Sequence, residues 1–291
     1  MKLLIENWRK YITEQKTSNI FDLLSDTERL QLGQPYSNKS KFNYSTKEEW
    51  AHIRGVLVQR SLASNSKLDP EYVAYTPGET LHLMSKPTIS NWHKEISGFK
   101  LPEETSVVVF VPCAKSKPWV CGQEKKRQLS KSYRAYNRLR GERGEAPSFY
   151  FVTISEPLGI VPEDRWHDFP QYDNPGLFKD SPSRVDRVFT RDWPKIFGMS
   201  KVITPYDKNA YQESIEILSS VIANFMKTNK DKEFISFVAE RGGTTSTHTD
   251  MLNKASQKAK IEIERSPKTL RPRGEPEEPI RTALTKRGMI E

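Results

Sequence analysis

The sequence predicts an α/β fold: a doubly wound, mainly parallel sheet of about four strands, preceded by a mainly helical N-terminal region. Three observations point there. Apolar runs at 107–111, 149–154, 202–204 and 234–238 have strand length and are mostly Val, Ile and Phe. Helical patterns lie between or after them at 127–140, 209–227 and 247–260. Strands alternating with helices form parallel sheets covered by those helices. The first two runs also empty into loops of small, basic and proline residues, where open α/β sheets place their ligands.

At 291 residues the chain has room for one larger or two modest domains. The pattern divides it into a helical region over 1–106, an α/β core over 107–264 and a basic, proline-rich flexible tail over 265–291. Lys and Arg number 46 against 37 Asp and Glu, a formal charge of +9. That excess favours a polyanionic partner, DNA or tRNA, over a neutral one. Cys113 and Cys121 are the only cysteines. Neither a disulfide framework nor zinc-ligand spacing follows from them, so no metal or other cofactor is expected and a reducing compartment is. No apolar run approaches about 18 residues, so no membrane span is predicted. Met1–Tyr11 is too polar for a secretory signal, and resembles openings of tailed-phage proteins. The expected location is cytoplasmic, the host cytoplasm if phage-encoded. The oligomeric state is not legible.

Taken in order, Leu3, Leu4, Trp8, Tyr11 and Ile12 recur at helical spacing over 2–15. Another turn or two is expected over 26–32, a polar loop over 37–45, and a helix over 47–61 with Trp50, Ile53, Val56 and Leu57 inward. Residues 62–106 hold Pro70, Pro77, Gly78 and Pro87 and no clean period. After strand 107–111 comes the Cys113–Trp119 loop, then a helix with Leu129, Tyr133, Tyr136 and Leu139 on one face. Strand 149–154 leads into a long loop, 155–182, of the kind that is often functional or lid-like. A short strand at 202–204 precedes the strongly amphipathic helix 209–227. Strand 234–238, a Gly242-Gly243 turn and a helix from about Thr247 complete the core.

The two loops carry the chemistry. Lys115 and Lys117 follow a strand end, where an ammonium neutralises a phosphate or, desolvated, becomes a base or nucleophile. Cys113 is either a nucleophile activated by nearby cations or a small buried hydrophobe. Glu156 is the acid directly beyond the second strand, in reach of a general-acid/base role. Pro157 and Gly159 shape that loop, which Ser155 opens, and Trp166 and Tyr172 offer rings on which a base could stack. Asp173 and Asn174 could read its edge. The alternative is that the rings pin the loop to the core.

These segments resemble the core domain of archaeosine synthase and its relatives among the tRNA-guanine transglycosylases. That family's motif runs Pro-Cys, three residues, Lys-Pro-Tyr, two residues, Ser, two residues, His. Pro112-Cys113 and Lys117-Pro118 match it, Trp119 stands for the tyrosine, and Gly122 and Lys125 occupy the Ser and His positions. Ser155–Pro162 resembles a later element with one glutamate added, as Tyr172-Asp173-Asn174-Pro175 resembles another. The resemblance covers residues 107–240 and implies modification or exchange of a guanine-type, 7-deazaguanine base in nucleic acid, with a small amine or deazaguanine co-substrate. Taken with the reading of the loops, it leaves Cys113, Lys117, Glu156 and Asp173 as the catalytic candidates. Lys115, Trp119, Ser155, Gly159, Trp166, Tyr172 and Asn174 would contact substrate. A non-catalytic binding module and glycosylase-type base excision remain the alternatives.

Lys125, Lys126, Arg127, Lys131, Arg134 and Arg138 follow the first loop on or around one helix. They read as a phosphate-backbone track rather than an ordinary solvated face. Arg241–Thr247 resembles a phosphate-cradling turn before a helix, without the lysine and spacing of a nucleoside-triphosphate loop.

Overall fold

The structure is a computed structural model. It describes residues 54–55, 57–59, 61–62, 68–113, 131–142, 148–169, 172–174, 177, 207–238, 246–265 and 277–290. The chain forms two compact units, Met1–Val73 with Pro182–Pro205, and Ala74–Ser181 with Tyr206–Glu291. In the first, residues 54–55, 57–59 and 61–62 are helical and Leu57 and Val58 are buried. The Arg54 guanidinium donates to the Val73 carbonyl at 2.9 Å. The expected helices at 2–15 and 26–32 and the strand at 202–204 lie outside the described residues.

The second unit is built on β1 (Val107–Pro112), β2 (Phe149–Ser155), β3 (Gly159–Pro162), β4 (Glu233–Ser236) and β5 (Glu264–Arg265). Their order across the sheet is β3-β2-β1-β4-β5. β1 lies parallel to both β2 and β4, β4 parallel to β5, and β3 antiparallel to β2. The α/β class and mainly parallel sheet are therefore as expected. Every residue of β2 is buried, which is why it reads as a continuous apolar run rather than an alternating one.

Six helices accompany the sheet among the described residues: α1 (Pro77–Ser85), α2 (Pro87–Ser97), α3 (Lys131–Leu139), α4 (Lys208–Thr228), α5 (Ser246–Ala259) and α6 (Glu278–Thr285). Val109 pairs with Phe151 and Phe110 with Val152, so Phe151 and Phe110 lie on opposite faces of the sheet. Tyr136 of α3 meets Phe151 edge-on at 5.7 Å. Phe225 of α4 meets Phe234 at 6.5 Å, and Phe234 stacks on Phe110 at 5.8 Å. Helices thus cover both faces. α1, α2 and α5 pack against α4.

Four expectations need correction. The boundary at 106 does not hold, because α1 and α2 pack with the sheet's own unit. Pro77 and Pro87 are helix starters rather than breakers, since a proline at the first helical position lacks only an N–H that would be unpaired there anyway. The Thr76 hydroxyl accepts the Glu79 N–H at 3.1 Å, while the Glu79 carboxylate accepts the Tyr75 N–H at 2.7 Å. The 155–182 loop is not open at its start: residues 159–162 return as β3, and a 3-10 turn, Glu163–Arg165, follows. The flexible tail contains α6, whose Ile280 and Leu284 are fully buried, with Ile290 nearly so. Three well-placed apolar residues anchor a segment whose average composition is polar.

Candidate functional site

Because β1 and β2 are parallel neighbours with Pro112 opposite Ile154, the chain leaves both at the same edge. The Cys113 N–H continues the ladder one step, donating to the Ile154 carbonyl at 3.0 Å. Cys113 is half-buried, and the Pro112 carbonyl before it accepts the Ser132 hydroxyl of α3 at 2.6 Å. Beyond β2, Glu156 is 2% exposed. Its turn is held from outside by α2. His93 Nε2 lies 2.8 Å from the Pro157 carbonyl, and the Trp92 indole N–H points at the Leu158 and Ile160 carbonyls, at 3.2 and 3.3 Å.

Sheet order supplies the third member. After β1 the chain turns toward β2, but after β4 it turns the other way, toward β5. The crevice between β1 and β4 is therefore the point where strand order reverses, the usual ligand position in open α/β sheets. α5 follows β4 and carries His248, fully buried in its first turn. His248 Nε2 lies 3.0 Å from Glu156 Oε2 and 3.8 Å from Cys113 Sγ. The three donor atoms all fall within 4.8 Å of one another.

Electrostatics ties the group together. Burial works against a charged His248, but the Glu156 carboxylate and the Cys113 sulfur outweigh it and raise the imidazole to about 9. A cation beside a cysteine favours the thiolate, the form that is both nucleophile and metal ligand. The first turn of α5 also presents the positive end of a helix dipole, which suits the Glu156 carboxylate. Tyr172 is buried and shares a 2.7 Å hydrogen bond with the Ser155 hydroxyl. Burial first, then the neighbouring Cys113 charge, pushes its phenol well above the ordinary value.

Cys113, Ser155, Glu156 and Tyr172 thus meet at one edge. Asn174 is buried nearby in sequence, its Oδ1 accepting the Thr80 hydroxyl at 3.0 Å, and the Asp173 carbonyl accepts the Ala74 N–H at 3.0 Å. Two expected substrate contacts are corrected. Trp166 is 1% exposed, packs against Tyr136 at 4.9 Å and gives its N–H to the Val161 carbonyl. Buried under aromatic neighbours, it belongs to the core and offers no stacking platform. Gly159 turns the chain into β3 at φ +79°, and a Cβ there would lie 3.4 Å from Val221 Cγ1 of α4. The positive φ is what calls for glycine here, since a Cβ at that distance is in ordinary contact, and backbone shape accounts for the residue without a ligand.

Lys115, Lys117, Trp119, Lys125, Lys126 and Arg127 lie outside the described residues, as does the glycine turn at 241–245. Lys131 opens α3. Arg138 keeps half its side chain exposed yet is paired with the nearly buried Glu277 at 2.5 Å, and Arg134 is half-buried. The described part of the basic helix is therefore less open than a bare cationic track.

His248 is the functional candidate that sequence reasoning missed. The rule that singled out Cys113 and Glu156, a reactive side chain just past a strand end, does not reach it, because His248 lies twelve residues beyond β4 in the first turn of the following helix. Compared with protein-family models, curated proteins and solved structures, the chain matches none.

Proposed function

We propose that this chain modifies or exchanges a guanine-type base of the 7-deazaguanine class in a nucleic acid, DNA or tRNA, with Cys113, Glu156 and His248 as its reacting centre. The observation that carries the reading is the convergence at the β1–β4 crevice of a thiol and a carboxylate from two strand ends and an imidazole from the first turn of α5. Two elements of the family resemblance, Pro112-Cys113 and Ser155–Pro162, border that crevice, and Tyr172 of a third hydrogen-bonds into it. The helices on both sheet faces and the reversal of strand order support a doubly wound arrangement with its ligand at the switch point.

In this reading Cys113, Glu156 and His248 face the reacting base, and Tyr172 and Ser155 shape the floor. Lys115 and Lys117 meet the substrate from the adjoining loop. The formal charge of +9 draws in the polymer, and a small amine or deazaguanine is the second substrate. A non-catalytic binding module is disfavoured by cost. A buried carboxylate–imidazole pair contributes less stability than apolar residues of the same volume, so a scaffold gains nothing by keeping one.

The test is nucleoside mass spectrometry of DNA and tRNA from cells with and without the gene. The reading expects a modified guanine, or a guanine analogue exchanged into the polymer, only when the chain is present. Identical nucleosides in both, or abasic sites in their place, would overturn it, the latter in favour of base excision.

A further inference from the structure

We propose that Cys113, Glu156 and His248 bind one zinc ion. The decisive feature is which atoms face which. In a nucleophile–base–acid relay the two imidazole nitrogens divide the work, one toward the nucleophile and the other toward the orienting carboxylate. Here a single nitrogen, Nε2, faces both the Cys113 sulfur and the Glu156 oxygen, while Nδ1 is buried without a hydrogen-bond partner. Three ligand atoms gathered within 4.8 Å of one another, with one imidazole nitrogen facing the other two, suit a coordination set better than a relay.

The spacing fits. With zinc–sulfur near 2.3 Å and zinc–nitrogen and zinc–oxygen near 2.0–2.1 Å, a tetrahedral centre places S and N about 3.6 Å apart and N and O about 3.3 Å apart. The structure has 3.8 Å and 3.0 Å, each within a few tenths of an ångström, and the Cys113 sulfur and Glu156 oxygen, within 4.8 Å of each other, draw in toward the ion as it binds. The donor set selects the ion: a thiolate is too soft for magnesium or calcium, and sulfur, imidazole and carboxylate together suit zinc. Charge agrees as well. One thiolate and one carboxylate neutralise a divalent cation around a neutral imidazole, which suits a site where Glu156 is 2% and His248 0% exposed. Half-buried Cys113 gives the ion a way in. Three protein ligands leave a fourth position for water or a small nitrogen ligand, the pattern of catalytic rather than structural zinc.

This deepens the base-modification reading, on which it rests only for what enters the fourth position. The experiment measures zinc in the purified full-length chain by elemental analysis, then exchanges it for cobalt and records the absorption spectrum. One zinc per chain and a thiolate-to-cobalt charge-transfer band are expected. Both should be lost in Cys113→Ser and kept in Cys121→Ser. Losing a group that only hydrogen-bonds to a zinc ligand costs about 10–100-fold in affinity, so Glu156→Gln, which removes a direct ligand, should weaken binding by at least about 100-fold. Should His248→Ala fail to fold, Cys113→Ser, which exchanges a single atom, still decides the matter. Zinc well below one per chain, or a cobalt spectrum unchanged by Cys113→Ser, overturns the site. Base modification by a zinc-free chain would overturn the metal alone. Bound zinc with unaltered nucleosides would overturn the base reading alone.

Discussion

At the carboxyl edge of β1 and β2, the chain buries Glu156 and His248 against each other and leaves Nδ1 unpaired. At the amino edge it does the reverse. There α6 sinks Ile280 and Leu284 into the core and keeps its charges outside. Arg287 reaches Glu233 at 2.9 Å and Glu264 at 2.5 Å, at the starts of β4 and β5, and Arg281 pairs with Glu142. The amino edge lies closer to an ordinary stable domain, with apolar groups inside and its ion pairs largely in water, the nearly buried Glu277 beside Arg138 excepted. The carboxyl edge departs from it in the one place where strand order reverses. On the proposed function, this polar cluster is kept for its chemistry rather than for stability.

The sharpest way to break that contrast is a mutant cycle on metal-free protein. Glu156→Ala alone leaves a buried imidazole without its partner and should cost about 3–5 kcal/mol. Glu156→Met with His248→Leu removes both polar groups and should return the stability to the wild-type value or above it. Denaturant midpoints decide, and a double variant as unstable as the single one would show the pair to be structural.

Next in size is the amino edge. Leu284→Ala should cost about 2–5 kcal/mol, as expected for a fully buried leucine. Arg281→Ala should cost less than about 0.5 kcal/mol, because its pair with Glu142 is solvent-exposed and screened. A small effect of Leu284→Ala would mean that α6 does not contribute to the fold.

The smallest effect concerns His93. Burial lowers its pKa, opposed by its hydrogen bond to the Pro157 carbonyl. The unfolded chain therefore binds the proton first as pH falls below about 6.5, and the native state loses stability until the folded imidazole also titrates. His93→Gln should remove that part of the slope. Unfolding measured between pH 7.5 and 5 on both proteins isolates it as a difference, and parallel curves would contradict the assignment.

Much of the sheet was legible because β1 and β2 are apolar throughout and α4 repeats its apolar face over 21 residues. Shorter elements were not. β3 has four residues between prolines, too few to display a period of two. α1 and α2 were legible in principle: Thr76-Pro77-Gly78-Glu79 is a helix-start signature, but its proline and glycine also read as punctuation. α6 rests on Ile280 and Leu284, four residues apart, which an average over a charged segment hides. Of the site, Cys113 and Glu156 could be found because each follows a recognisable strand. His248 lies 92 residues from Glu156 and 135 from Cys113, and they meet only because β4 pairs with β1. Local pattern carries no record of strand order, so the third member had to come from topology.

The central claim is that these three side chains form the reacting centre while the polymer is held elsewhere. The most direct measurement compares His248→Gln with wild type in two assays on one nucleic-acid substrate, the rate of base modification and the affinity for the polymer. Loss of a side chain of the reacting centre should slow modification by at least about 100-fold. Affinity at fixed salt should stay within about twofold, since phosphate contacts dominate it. Modification at the wild-type rate, or a parallel loss of rate and affinity, would contradict the account.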